Sequence, residues 1–230
     1  MAMKLPRATI EELDQLVEQL TKPDPERREA ALRRLESYER SGQLPLEALV
    51  EYSQSDYAPL SMYAIAALGR NGQPGAVKKL SELLEQHRQG NPLVLETVID
   101  ALGETGDANA TGPLMALLGI RSGWSGRLFG RKSKDEDAQQ ERQRERLVLP
   151  VLRALGKVVD PKGAELLGAY LEHADHLVRW HALQCIARGQ SALFNDRVRA
   201  LADKDPHQLV RDAAQLLLTK LAPLPPNLSN

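Results

Sequence analysis

Three histidines that lie close together in the chain are the residues best suited by type to do chemistry. His173, His176 and His181 fall within nine residues, and neutral imidazoles are common metal ligands. A metal site here would also need a carboxylate, for which Asp175 is the nearest candidate. The cluster coincides with a predicted helix boundary, where polar side chains at a turn are ordinary. We interpret these residues as turn and surface residues, and we expect no bound metal and no cofactor.

The single cysteine and two glycine-rich stretches are the other candidates for chemistry. Cys185 cannot form an internal disulfide, and it falls on the apolar face of a predicted helix, which favours a small buried side chain. The stretches GRNGQPG (69–75) and GETGD (103–107) are not followed by Lys-Ser or Lys-Thr, as a phosphate-binding loop requires. They fall where turns between helices are expected. We therefore predict that the protein is not an enzyme.

Composition favours a helical protein without a nucleic-acid partner. Aromatic residues make up 4% of the chain and hydrophobic residues 42%, so the core must consist mainly of Leu, Ala and Val. Leu and Ala have high helix propensity. The 30 basic and 31 acidic residues leave no basic excess of the kind that nucleic-acid binders show. The start lacks the apolar region of a signal peptide, and no stretch approaches the roughly 18 apolar residues of a membrane span. These features predict a cytoplasmic protein.

An internal repeat organises the rest of the chain. Alignment of the ALG tripeptides and their equivalents superimposes six apolar residues: Leu35, Leu68, Leu102, Leu155, Ile186 and Leu218. Their spacings are 33, 34, 53, 31 and 32 residues, so one interval is longer by about 20. Each unit contains two amphipathic patterns, and the second usually starts at an Asp or Pro signal. Alanines at the middle of four second helices would allow close helix approach: Ala31, Ala64, Ala182 and Ala214.

These patterns predict an all-α fold, an α-solenoid of about six helical hairpins that cover one another. We predict one domain over residues 1–230, interrupted by a flexible insertion at 119–146 and followed by a Pro-rich tail at 222–230.

The repeat resembles a known family. The pattern D-x-x-V-R-x-x-A-x-x-x-I/L, clearest from Asp175 to Ile186, is similar to the HEAT repeat. More narrowly, it resembles the HEAT-like repeat of the phycobilisome bilin-lyase type. The resemblance covers about residues 8 to 221 and implies an armadillo-type solenoid. Solenoids of this kind serve as scaffolds, chaperones, transport factors and, in some cases, enzymes.

Two enzyme classes have related folds. Deoxyhypusine hydroxylases bind iron through His-Glu dipeptides, but none of the five histidines here, which include His87 and His207, is followed by Glu. Helical-repeat DNA glycosylases place aromatic residues and an Asp in a basic groove, and Trp180 is the residue here that suggests such a role. However, acidic residues would line the same groove and repel phosphates: Glu29, Glu96, Asp100 and Asp212.

The concave face formed by the second helices is the predicted partner-binding surface. At 100° per residue, offsets 2 and 6 from the first buried residue point away from the core. Large apolar side chains at these offsets, among them Met62, Leu149 and Trp180, are predicted to be exposed, and exposed apolar clusters mark interaction sites. The residues that we predict to bind a protein partner are Met62, Glu96, Asp100, Leu149, Arg153, Trp180 and Gln184.

The insertion combines glycines, basic residues and apolar anchors. Its predicted contact residues are Trp124, Arg127, Phe129, Arg131 and Lys132. Three interpretations stay open: a surface loop without a role, an arm that folds on a protein partner, and a contact with an anionic membrane. Its second half is predicted to form a solvated helical extension that leads into repeat four.

We predict a non-enzymatic adaptor, scaffold or assembly factor that binds a protein partner on its concave face. The alternative is an accessory subunit or chaperone of the bilin-lyase type that acts on pigment proteins.

Overall fold

A computed structural model describes most of the chain and is all-α. The described residues are 10–20, 22–41, 43–73, 75–119, 134–189 and 194–221. They contain twelve α-helices and two short 3-10 helices. The fold divides into two compact units, with the division between Asp107 and Ala108. The single domain predicted for residues 1–230 stays a prediction.

The first unit contains three helical hairpins. Its helices are α1 (Ile10–Leu20), α2 (Pro25–Arg40), α3 (Leu46–Ser53), α4 (Ala58–Arg70), α5 (Ala76–His87) and α6 (Pro92–Glu104). Each even-numbered helix packs against the odd-numbered helix before it, and α4 also packs against α6. The first three predicted hairpins are therefore confirmed.

The second unit contains three further hairpins. Its helices are α7 (Thr111–Leu117), α8 (Lys134–Val158), α9 (Pro161–Leu166), α10 (His176–Arg188), α11 (Asn195–Lys204) and α12 (Gln208–Leu221), with 3-10 helices at Ala108–Ala110 and Gly168–Glu172. Because α10 packs against both α8 and α12, the second helices form a row. The start of α8 at Lys134 confirms the predicted helical extension before repeat four.

The Asp and Pro signals of the sequence start helices as predicted. The Asp24 carboxylate accepts hydrogen bonds from the backbone N–H groups of Glu26 and Arg27, and Pro25 is the first residue of α2. The side chains of Asn91 and Asp160 cap α6 and α9 in the same way. Such caps satisfy N–H groups that have no partner inside the helix, and Pro at the first position sacrifices none.

The predicted core positions are buried in five of the six repeats. Leu35, Leu68, Leu102, Leu155 and Ile186 are each 0% exposed.

The sixth repeat differs by one position. Leu218 is half-buried, whereas Leu217 next to it is 3% exposed. Within the described residues no further second helix follows α12, so that side of the helix has no neighbour to bury it.

The first glycine of the stretch 69–75, which is also the glycine of an ALG tripeptide, lies in a helix and not in the predicted turn. Gly69 lies inside α4, which continues to Arg70. A Cβ atom at Gly69 would lie 2.5 Å from the backbone carbonyl oxygen of Ala101 in α6. The missing side chain therefore allows close packing of two second helices. The predicted turns are formed instead by Gly72 and Gly106, with φ of 65° and 64°, a region that glycine enters without steric cost.

A buried ion pair explains the Arg of the repeat pattern in the second unit. Arg179 of α10 donates two hydrogen bonds, of 2.7 and 2.8 Å, to the Asp205 carboxylate in the turn before α12. It also donates to the backbone oxygens of His173 and Ala174, both at 2.8 Å. Arg179 is 7% exposed and Asp205 is 5% exposed. The pair thus joins the fifth and sixth repeats through a desolvated, bidentate contact.

Candidate partner-binding groove

A groove opens between α2 and α4 because these two helices pack less closely than α4 and α6. The Cα atoms of α4 approach those of α6 over much of their length, but α2 and α4 hardly approach each other within 8 Å. Gly69 makes the close approach possible on the α6 side. On the α2 side the space between the helices has a volume of about 590 Å³, which is within the range of ligand pockets.

The groove has an apolar floor and a polar rim. Its lining residues are Leu20, Arg28, Glu29, Leu32, Glu36, Tyr57, Pro59, Leu60, Met62, Tyr63, Ala66 and Thr97. Leu60 is buried at the base, whereas Leu32 is 36% exposed. Leu93, one turn before Thr97 on α6, is 61% exposed. Apolar surface of this kind loses contact with water when a partner covers it.

The charges of the rim differ in whether they have partners. Glu29 forms an ion pair with Arg33, at 2.7 Å, on the same turn of α2. Arg28 and Glu36 make no ion pair with any described residue. Arg40 donates its Nε hydrogen to the backbone oxygen of Glu36, at 3.3 Å, and leaves the carboxylate unpaired. One cation and one anion therefore stay available on the groove wall.

A hydrogen-bonded network holds one wall of the groove. The Tyr63 hydroxyl donates to Glu39 Oε2 at 3.1 Å, and Arg70 donates to both oxygens of that carboxylate at 2.7 and 3.1 Å. Burial, together with the Glu39 charge, raises the pKa of Tyr63 well above its usual value. The phenol therefore stays protonated as a donor, and its ring keeps a defined position beside the groove.

The structure places one predicted partner-binding residue in this groove and two beside it. Met62 lines the groove and is half-buried. Glu96 and Asp100 lie on α6, flanking the lining residue Thr97, and both are half-buried. Their part in binding a partner stays a prediction.

The predicted residues of the second unit lie on α8 and α10. Leu149 is half-buried on α8, and Arg153 of the same helix is exposed, as is Gln184 of α10. Their partner role stays a prediction.

The prediction that Trp180 points away from the core is wrong. Its indole is half-buried and packs against the apolar core formed by α10, α11 and α12. It also meets the His181 ring edge to face, with 4.6 Å between ring centroids. Trp180 stands two residues after the buried Val178, and an indole at this position is large enough to reach the core along the side of the helix. A substitution of Trp180 therefore disturbs packing and cannot isolate a binding role.

The three clustered histidines do not converge on one point. His173 accepts a hydrogen bond from the backbone N–H of Asp175 and lies 3.2 Å from a carboxylate oxygen of Glu145. The ring of His176 stacks on that of His207, with 3.8 Å between centroids. Desolvation, and secondarily the charge of Arg153, lowers the pKa of His181. In the part of the chain that the structure describes, no group of three or more His, Cys, Asp or Glu side chains could hold a metal ion.

Cys185 is buried, as predicted. Its thiol is 0% exposed and donates to the backbone oxygen of Leu152 at 3.3 Å. Burial raises the pKa of the Cys185 thiol to about 12, so the reactive thiolate form is suppressed.

The contact residues predicted in the insertion lie outside the described residues. These are Trp124, Arg127, Phe129, Arg131 and Lys132, and their roles stay predictions. Among the helices described, none is long and apolar enough to cross a membrane.

Sequence reasoning missed most of the groove. Leu32, Tyr57 and Tyr63 are large apolar or aromatic lining residues that were not among the predicted contacts. Leu32 was the one signal in the sequence. It stands five residues after Arg27, which occupies the first core position of the repeat, so this large apolar side chain falls off the buried face of α2. The width of the gap between α2 and α4 has no local signature in the sequence.

Comparison with known proteins agrees with this architecture. Residues 46–125 match the family model for HEAT repeats. The chain contains HEAT repeats. A search of curated proteins found no match to the sequence.

Solved structures with similar folds cover nearly the whole chain. The complex of CpcE and CpcF of phycocyanin lyase from Nostoc sp. PCC7120 matches with a TM-score of 0.52 and 20% identity, over 93% of this chain and 77% of the other. A designed armadillo repeat protein in complex with the peptide (KR)4 matches with a TM-score of 0.53 and 16% identity, over 92% and 100%. A second designed armadillo repeat protein has a TM-score of 0.50 and 18% identity, over 92% and 100%. At identities of 16–20%, these matches show a shared fold.

Proposed function

We propose that this protein is a non-enzymatic HEAT-repeat adaptor or assembly factor that binds a segment of a protein partner in the groove between α2 and α4. The observation that carries the proposal is the open apolar space of about 590 Å³ with Met62 and the exposed Leu32 on its walls. Burying such apolar surface is the main favourable contribution to most protein association. The structurally similar designed repeat protein binds a peptide, which is consistent with this use of the fold.

A charge placed in the groove tests the proposal. Met62→Glu should abolish most partner binding, because docking would then bury an unpaired carboxylate, which costs several kcal/mol. The measurement is quantitative mass spectrometry of the proteins captured by the immobilised protein from a lysate of its source cells.

Val77→Glu is the matched control for this substitution. Val77 is half-buried like Met62 but lies on α5 and does not line the groove. A partner retained by the parent and by Val77→Glu, and lost by Met62→Glu with an unchanged melting temperature, supports the proposal. Equal capture by all three proteins would contradict it.

A second candidate function is an accessory or chaperone role of the bilin-lyase type. It is favoured by the structural similarity to the phycocyanin lyase subunits over 93% of this chain. The test is to mix the purified protein with a bilin and a pigment-protein acceptor and to record absorbance spectra. A faster or more complete attachment of the bilin to its acceptor would support this role over that of a simple adaptor.

A further inference from the structure

The two unpaired charges of the groove lie on the same wall. Arg28 and Glu36 both belong to α2 and both line the groove. They are eight residues apart, which corresponds to about 12 Å along the helix axis. Leu32 lies midway between them on the same face and is 36% exposed. The wall of α2 therefore presents, in order, a cation, an apolar patch and an anion.

The other charged residue that lines the groove, Glu29, is already paired, and so is Glu39 on the same helix. Glu29 pairs with Arg33 at 2.7 Å, and Glu39 is held by Arg70 and Tyr63. A bound segment would gain little from them, because it would first have to break an existing pair. Arg28 and Glu36 can take a new partner without that cost.

The helix ends reinforce this polarity. Tyr57 and Pro59, at the amino-terminal end of α4, line the groove together with Arg28 of α2. The amino terminus of α4 has no side-chain cap and contributes a partial positive charge to the groove. An acidic group is favoured beside Arg28, and a basic group beside Glu36.

We infer that the groove selects an amphipathic helix of a partner protein that carries an acidic and a basic residue seven or eight positions apart with apolar residues between them. The acidic residue faces Arg28, the basic residue faces Glu36, and the apolar residues cover Leu32, Met62 and Ala66. The inference rests on the proposed function, because it specifies the partner of the same groove. Seven or eight residues of a helix span about 10–12 Å, which matches the separation of the two charges. Helices that lay an apolar face into a groove are a common mode of recognition.

A displayed library of random peptides of about 18 residues is the probe for this preference. The library is selected on the immobilised protein and counter-selected on Met62→Glu, so that only groove-dependent peptides remain. We expect the enriched peptides to share an apolar centre flanked by one acidic and one basic residue seven or eight positions apart.

Charge reversals then test the two contacts on one selected peptide. Arg28→Glu or Glu36→Lys should each weaken binding about tenfold, because like charges face each other across the interface. The double variant should recover affinity for a peptide whose acidic and basic residues are exchanged. Lys78→Glu and Glu51→Lys are matched reversals at exposed positions of α5 and α3 outside the groove, and they should leave binding unchanged.

The possible outcomes distinguish a failure of this inference from a failure of the proposed function. Enriched peptides that depend on Met62 but show no charge pattern, or that bind equally to the reversed variants, would overturn the inference and leave the proposed function intact. A pattern with the charges about four positions apart would show an extended segment and would also overturn the helical partner. A library that yields no peptide dependent on Met62 would overturn the proposed function itself.

Discussion

Arg179 and Asp205 are charged residues buried on two adjacent repeats, and each depends on the other. The side chains are 9% and 2% exposed and lie 2.7 Å apart. Burial alone would raise the pKa of the Asp205 carboxyl. Hydrogen bonds from Arg179 and from the backbone N–H of His207, together with the Arg179 charge, outweigh burial and lower it. The loss of either partner therefore leaves a buried charge uncompensated.

Asp205→Asn should lower the free energy of unfolding by about 3–5 kcal/mol, because it breaks a buried ion pair from one side. The amide oxygen can still accept from the backbone N–H of His207, so the turn before α12 is kept. Asp196→Asn is the control, since its pair with Arg199 is exposed and contributes about 0.5 kcal/mol or less. Urea unfolding at neutral pH measures the free energy of unfolding of both variants. A loss of the same size in the two variants would contradict a special role of the buried pair.

The lowered pKa of Asp205 predicts that the stability of the fold depends on pH. Because the folded pKa of Asp205 lies below its unfolded value of about 3.9, the ionised pair adds stability above that value. This contribution is lost as the pH falls through the folded pKa. Unfolding measured from pH 7 down to pH 3 should show a steeper acid decline in the parent than in Asp205→Asn. Parallel curves would show that other groups control acid stability.

At the scale of helices, the contact between α4 and α6 depends on one missing side chain. Gly69→Ala would place a Cβ atom 2.5 Å from the carbonyl oxygen and 2.7 Å from the Cα atom of Ala101. Both are backbone atoms, so the helices must separate, at a cost of about 1–3 kcal/mol. This exceeds the gain of about 1 kcal/mol that alanine brings to a helix interior. The melting temperature should therefore fall.

Gly156→Ala is the matched control for that substitution. Gly156 also lies inside a second helix, but its nearest neighbour would be Gln184 Cβ at 3.8 Å, an ordinary contact. Here the helix propensity of alanine should raise the melting temperature. If both variants shift it in the same direction, helix packing at Gly69 is not the controlling factor.

At the scale of the whole molecule, the long third interval of the repeat, from Leu102 to Leu155, contains about 20 residues that are extra to the periodic pattern. Deleting Arg121 to Lys134 should leave helicity and melting temperature nearly unchanged, because stability varies only slowly with loop length. If the segment is an arm, the deletion should weaken binding to the partner or to anionic vesicles, and added salt should weaken binding by the parent. Circular dichroism and binding assays on the two proteins measure these effects. A large loss of helicity would contradict the placement of the segment outside the core.

The sequence by itself determined the helices, their pairing and most of the core. Helix starts depend on local groups such as Asp24 and Pro25, and burial at Leu68 or Ile186 follows from a period of 3.6 residues along one chain segment. These features need no knowledge of distant residues.

Only the tertiary structure decided which side chains meet across repeats. The partner of Arg179 is 26 residues away in the sequence, and the indole of Trp180 packs against the core. The groove exists because α2 lies farther from α4 than α6 does. Such distances depend on the volumes of many side chains packed between helices, as at Gly69. The periodicity of a single helix does not encode the combined volume of these side chains, because close packing depends on both of the facing helix surfaces.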